Sequence, residues 1–527
     1  MGKTKKYLVG VDYGTTGTKT NIFDLKGNVV GTAYFDTPTQ FPQPGRAEQD
    51  AKEIIENLFA STKAAVESSG IDPEEIGGIS FTHMCCSFVP VDREGNFLYP
   101  IILWADTRGA DMFDYIRTKW KENGITEQDD YDFTGYPLGP LCTMPKVLWL
   151  KKNHPDIYEK TYKFIGLQAL MVSAYCGNQT YMDDKPGIIY SKLCDGRTFE
   201  WDDRRFAMYR LDKDKYPERV DPGTYAGTVP KSVAEKTGLA EGTPIYTGSG
   251  DQRCAPVGAG VIKDGMASAI LGTGGVVHAY SSTPIRHPEG KISIMGHAGT
   301  GHWQVEGSCS SAASSFRWWR DELGQAEARE AKESGKNVYD ILTSEAAKSP
   351  AGSNGLIFNA WFQGADCPRY DVNARATFTG LSFAHTKADM IRSVLEGVCY
   401  EMKSMLDVAE VALGKKIETV RAMGGGAKSA LWLQMQADIY NVRLETVENE
   451  ETTSLAAAMF AGIGCGIFGS LEEAVDKMVR ITGHLDPIPE NVKIYGELYP
   501  LYQKIYESLS KEVFPVIKQF QDKHSAK

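Results

Sequence analysis

A chain of 527 residues exceeds what one hydrophobic core serves, so two domains with a cleft between them are expected. A formal charge of -11, from 57 Lys+Arg against 68 Asp+Glu, argues against a binder of nucleic-acid backbone, which needs a basic face, and leaves a small-molecule ligand as the better expectation. No apolar run reaches the ~18 residues of a membrane span, and the opening "MGKTKKYLVGVDYG" has no signal-peptide core, so a soluble cytoplasmic protein without a membrane partner is expected. The 10 cysteines are scattered without a Cys-x-x-Cys, which fits reduced thiols better than disulfides or zinc.

In chain order, the apolar run Tyr7–Val11, the turn "DYGTTG", the segment "TKTNIFD", the turn Gly27-Asn28 and the run "VVGTAYF" predict a strand, a Gly/Thr turn and an antiparallel meander. From Asp50, a natural cap, Ile54, Ile55, Leu58, Phe59, Ala65 and Val66 recur on one side of a helix. Short strands at "GGISF" and "SFVPVD" follow. The stretch "MASAILGTGGVVHAYSS", Met266 to Ser282, repeats the opening theme, so each half reads as a mixed sheet flanked by helices. The boundary falls near Gly260, giving domains 1–260 and 261–527. Helices are expected at "KADMIRSVLEGVCYEMKSMLDVAEVAL" and "TTSLAAAMFAGIGCGIF", and Tyr495, Tyr499, Tyr502 and Tyr506 mark a buried helical face.

Glycine clusters raise the question of nucleotide binding. Gly424–Ser429, "GGGAKS", has Ala427 where a P-loop needs its second glycine, and no Gly-x-Gly-x-x-Gly joins a strand to a helix. What remains are two Gly/Thr turns between strands, "DYGTTG" and "LGTGG". Either is an ordinary hairpin or, through successive backbone N–H groups and Thr hydroxyls, a phosphate cradle. Asp12, ending the first strand, is a turn residue or an oxygen ligand suited to Mg²⁺. Asp251, after Gly-Ser-Gly, poses the same choice between turn and proton chemistry.

Taken together, "VGVDYGTTGTK", "GSGDQ", "ILGTGG" and "AMGGGAKSALWLQMQADI", in this order, resemble the FGGY family of carbohydrate kinases. The segments "ATFTGLSFAHTKADMIRSVLEG" and "TMPKVLWLKKN" are similar to that family as well. The resemblance implies an α/β protein of two RNase H-like domains, of the actin/Hsp70-type ATPase kind, with the active-site cleft between them. It implies ATP and Mg²⁺ as cofactors, with Asp12 linked to the metal and Gly14, Thr15, Thr16 and Lys19 at the first phosphate loop. Gly272, Thr273 and Gly274 correspond to the second loop, and Gly424, Gly425, Gly426, Lys428 and Ser429 to the adenosine turn, with Ser429 where many members have Asn. Asp251 corresponds to the general base, also near the metal, and Gln252 to a reader of sugar hydroxyls.

Cys85 and Cys86 stand where glycerol kinases carry an Arg-Glu pair and xylulokinases a Met-His pair, and Leu141 stands where glycerol kinases have a tyrosine. Both departures argue against glycerol. "ILWADTRG" is similar to the Trp-x-Asp-x-Arg of xylulokinases and gluconate kinases; Trp104 reads as an apolar wall or a core indole, Asp106 as a hydroxyl acceptor or the partner of Arg108. His83 reads as a displaced substrate histidine or a satisfied core one. The expected activity is phosphorylation of a small sugar or polyol, a ketopentose such as xylulose foremost. Ribulose, a tetrulose, gluconate, autoinducer-2 and glycerol are the alternatives within that class, and an ATP-switched or sugar-sensing module lies outside it. A homodimer is compatible with this reading.

Overall fold

The computed structural model describes residues 3–524. Its organising element is the strand Tyr7–Tyr13, which pairs antiparallel with Gly17–Asp24 across the first Gly/Thr turn and parallel with Ile76–His83. Parallel neighbours need a crossover, and the helix Ala51–Ser69 supplies it. The Asp50 side chain accepts from the N–H groups of Lys52 and Glu53 to start that helix, and Gly70 at φ 64° ends it. Val29–Asp36 extends the sheet on one side; Pro244–Tyr246 and Tyr225–Thr228 extend it on the other.

The second sheet repeats the plan. Met266–Leu271 pairs antiparallel with Gly275–Ser281 and parallel with Thr419–Gly424, and the crossover is the 27-residue helix Lys387–Leu413, opened by a Thr386–Asp389 capping box. Two seven-stranded mixed sheets flanked by helices make this the two-domain α/β fold that the repeated pattern implied. A four-stranded sheet from Glu48–Gln49, Ile101–Ile102, Phe88–Val91 and Lys163–Gly166 sits beside the first sheet and carries Trp104 into the cleft.

The halves of the chain are not separate bodies. The helix Thr452–Gly464, from the second half of the sequence, packs on Tyr7–Tyr13, Ile76–His83 and Asp251–Gly258 of the first. Small residues allow the approach: a Cβ on Gly10 would lie 2.0 Å from the Ser454 carbonyl oxygen, so only glycine is tolerated there. Asn21 Nδ2 donates to Ser454 Oγ at 2.8 Å, and Lys19 pairs with Glu451 across the same seam.

On Pro489–Leu509 the tyrosine face is buried at Tyr495, Tyr499 and Tyr502 and half-buried at Tyr506, and it is not simply apolar. Tyr495 donates to Glu396 at 2.7 Å, Tyr499 to Asp407 at 2.7 Å, Tyr502 to Glu401 and Tyr506 to Asp371 at 3.3 Å. Each hydroxyl thus satisfies a carboxylate, as buried polar groups require. Among the described residues no helix is long and apolar enough to cross a membrane.

Candidate active site

Three glycine turns converge from both sheets. In the first, Gly14 N–H donates to Gly17 O at 2.9 Å, and the Trp104 indole N–H donates to Thr15 Oγ1 at 2.9 Å. In the second, the carbonyls of Gly272 and Thr273 accept from Ala313 N at 3.0 Å and Ala312 N at 3.2 Å, which pins the turn to the start of the helix Ala313–Glu322. Gly424 has φ 78° and ψ -169°, open only to glycine, and a Cβ there would lie 2.7 Å from Leu271 O. The third turn is therefore stacked on the residue that precedes the second. A cavity of about 270 Å³ beside it is lined by Gly424, Ala427, Lys428, Leu433, Val447 and Thr482, among others. Lys428 is exposed and pairs with Glu450 at 3.0 Å, while Ser429 Oγ accepts from Trp432 N at 3.3 Å and caps the helix Ala430–Tyr440. Capping the helix uses the Ser429 oxygen as an acceptor and leaves its O–H free to donate. Lys19 is engaged with Glu451.

Asp251 is the first residue of the helix Asp251–Gly258. Gln252 N–H donates to its Oδ1 at 2.7 Å, and the Cys85 thiol donates to the same oxygen at 3.4 Å. The preceding Gly250 could not be another residue: its Cβ would meet Cys85 Sγ and Arg253 Nη2, each at 2.5 Å. An Arg253–Asp184 ion pair, tied to Ser249 Oγ at 3.0 Å from both partners, holds this turn from behind. Burial pushes the Asp251 carboxyl above the ordinary range, with the Gln252 N–H and the Cys85 thiol opposing.

Asp12 is pushed up to about 7, first by burial and also by the charge of Asp251, while the Thr453 hydroxyl, donating to Asp12 Oδ2 at 2.7 Å, pulls it down. Its Oδ1 is buried with no partner. An unpartnered carboxylate oxygen facing a second carboxylate fits a hard divalent cation. Among the described residues no three Asp, Glu, His or Cys side chains form a cage, so phosphate oxygens and water would complete the shell of such an ion.

The cleft that contains Asp251 has a volume of about 420 Å³. The first half contributes Thr15, Cys85, Cys86, Trp104 and Gln252, and the second contributes Gly275, Glu306, Ser308 and Asp366. Trp104 is 39% exposed and forms a wall, not core. Cys86 adopts φ 61°, and burial pushes both thiols well above their ordinary values, so they stay neutral. The Gln252 side-chain oxygen is buried without a partner, while its backbone carbonyl accepts from Gln304 at 3.0 Å across the cleft.

Two expected substrate contacts are not brought there. Asp106 is 0% exposed, and its carboxylate is consumed by Arg108 Nε and Nη2 at 2.7 and 2.6 Å and by Ala47 N–H at 2.8 Å. It is a buried ion-pair partner, and the spacing "ADTR" lets Arg108 fold back on it. His83 ends its strand 5% exposed, with Nδ1 3.0 Å from Met84 O, and borders a smaller chamber of about 60 Å³ behind the cysteines. Glu306, Asp366, Thr453 and the Asp184–Arg253 pair escaped sequence reasoning. Except for Arg253, which directly follows "GSGDQ", they come from segments without a quoted glycine motif; only the alternation in "WQVEGSC" hints that Glu306 faces outward from its strand.

Residues 7–258 match the N-terminal domain model of the FGGY family of carbohydrate kinases and residues 267–465 the C-terminal one. The chain is 30% identical to a xylulose kinase of Staphylococcus epidermidis over 95% of this chain and 97% of that one. It is 27% identical to a gluconokinase of Bacillus licheniformis over 96% of each. A gluconate kinase structure from Lactobacillus acidophilus superposes with TM-score 0.85 at 26% identity, covering 96% of this chain and 99% of that one. With both halves matched by their own family model and the whole length shared with curated sugar kinases, the chain belongs to the FGGY family of carbohydrate kinases and is a sugar kinase that uses ATP.

Proposed function

We propose that the protein transfers the γ-phosphate of ATP to a hydroxyl of a small open-chain ketose, with xylulose the foremost candidate. The observation that carries the reading is Asp251: a carboxylate at a helix start, fixed by Gln252 N–H and the Cys85 thiol, in a cleft bordered by the first and second glycine turns. Asp251 takes the proton of the sugar hydroxyl as its oxygen bonds to the γ-phosphorus. The bond from that phosphorus to the β-bridging oxygen breaks, ADP leaves with the electron pair, and Asp251 releases the proton to solvent. The N–H groups of Thr15 and Thr16 and of Thr273 and Gly274, beside the turn bonds made by Gly14 and Gly272 N–H, orient the phosphates, and Gln252 and Trp104 position the sugar. Mg²⁺ held through Asp12 supplies neutralisation of phosphate charge when bound. Closure of the two halves keeps water from competing as acceptor.

Xylulose is favoured by the Trp104 wall and the similarity to a xylulose kinase, and the neutral thiols at positions 85 and 86 weigh against glycerol. A coupled ADP assay over xylulose, ribulose, erythrulose, gluconate and glycerol tests the proposal. The expected result is sugar-dependent turnover, greatest for a ketose; no sugar-dependent turnover on any of them refutes it.

A further inference from the structure

Glu306 sits on Trp303–Cys309 of the second sheet and lines the cleft together with Asp251, Cys85, Cys86 and Gln252. Its Oε2 is buried without a hydrogen-bond partner, and its nearest cationic candidate is His278 Nε2 at 3.4 Å, also unpartnered. Oε2 is thus turned into the fold beside the fully buried His278, and it is the other oxygen, Oε1, that the 13% exposed side chain offers to a donor arriving in the cleft. The other ionisable groups bordering the cleft are acidic or neutral. Asp366 has Oδ2 held by Ser310 N–H at 2.6 Å, and the thiols stay protonated. No Lys or Arg lines this cleft among the described residues. The nearby cations are spent elsewhere. Arg253 is paired with Asp184 and reaches the cleft wall only through Cys85, whose sulfur lies 3.5 Å from Arg253 Nη1, and the Lys146 amine donates to the carbonyls of Leu103 and Trp104 at 2.8 and 3.1 Å. The sugar end of the cleft thus presents acceptors and negative charge, with the Arg253 charge behind Cys85 already paired to Asp184.

We infer that Glu306 is a specificity-determining residue: its open carboxylate oxygen accepts a hydroxyl of an uncharged ketose, and its charge repels the carboxylate of an aldonate. The inference rests on the kinase reading and narrows its substrate class to neutral polyhydroxy compounds, against the gluconate that the name of one relative prints. It assigns to the second half of the chain a share of substrate choice, beside the residues at positions 85 and 86.

The test measures binding of D-xylulose and of sodium gluconate at constant ionic strength, by calorimetry without ATP, in wild type, Glu306→Gln and Glu306→Asp. Turnover of each sugar is measured in parallel, so that a failure of the kinase reading appears in turnover alone. Wild type is expected to favour xylulose. Glu306→Gln weakens xylulose about tenfold or more, the loss of a charge-assisted hydrogen bond, and narrows its preference over gluconate by a larger factor. Glu306→Asp keeps the charge and still excludes gluconate. Should the Gln variant fail to fold, Glu306→Asp carries the test: its carboxylate is withdrawn by one methylene, so xylulose is expected to bind more weakly, and an unchanged xylulose affinity overturns the inference. Gluconate binding as tightly as xylulose to wild type, or an unchanged preference in Glu306→Gln, overturns the inference.

Discussion

Replacing Asp251 with Asn isolates its proposed role as base, because the structure shows how little else changes. Asn retains an oxygen at the position where Oδ1 accepts from Gln252 N–H at 2.7 Å and from the Cys85 thiol at 3.4 Å, so the turn and the start of the helix are kept. What is lost is the ability to take a proton. A general base contributes about 10²- to 10⁴-fold, or about 3 to 5 kcal/mol of barrier. The loss is expected in kcat, with KM for sugar altered little. The Gly272–Gly274 and Gly424–Gly426 turns do not include this side chain, so ATP affinity by calorimetry is expected to stay within about twofold of wild type. Stability moves the other way. Burial holds the Asp251 carboxyl above its ordinary range, which means the charged form is disfavoured in the fold, and a neutral amide relieves that cost. The melting temperature at pH 7 is expected to be equal or higher. A kcat within about threefold of wild type would refute the assignment, as would equal losses of kcat, ATP affinity and melting temperature.

Further outcomes follow from the same geometry. Asp106→Asn leaves the buried Arg108 with Glu48, at 2.5 Å, as its remaining carboxylate partner and is expected to cost about 1.5 to 3 kcal/mol in chemical denaturation, with KM for sugar unchanged in the folded fraction; a large KM effect with normal stability would restore a substrate role. His297 is buried and neutral, accepting from Gly299 N–H at 2.9 Å and lying 3.1 Å from Val261 O; burial pulls it down to about 3. The unfolded chain takes this proton near 6.5 while the fold refuses it, so stability is full above that pH and falls toward pH 3 by up to about 1.4 kcal/mol per unit. Denaturation at pH 7.5 and pH 5.0 should differ by about 2 kcal/mol more in wild type than in His297→Gln. Trp104→Phe keeps the wall and removes the 2.9 Å bond to Thr15, with an expected loss of about 1 kcal/mol in kcat/KM for the sugar; no change would show that the indole N–H does not order the first phosphate loop.

Local chemistry was legible from the chain. Asp50 and Gly70 bound their helix because a carboxylate can accept orphan N–H groups and glycine can take positive φ, and both facts are written in residue type. The strand, Gly/Thr turn and strand at Tyr7–Asp24 and again at Met266–Ser281 were readable for the same reason, and their repetition gave the two-sheet architecture. Tertiary structure decided what depends on distance across the chain. That Thr453 meets Asp12, that Glu306 shares a cleft with Cys85, and that Asp184 and Arg253 brace the turn before Asp251 are contacts between segments 69 to 441 residues apart. Asp106 shows the limit most plainly: the sequence allowed a hydroxyl acceptor or an ion-pair partner, and only burial, which no single residue specifies, selected the second.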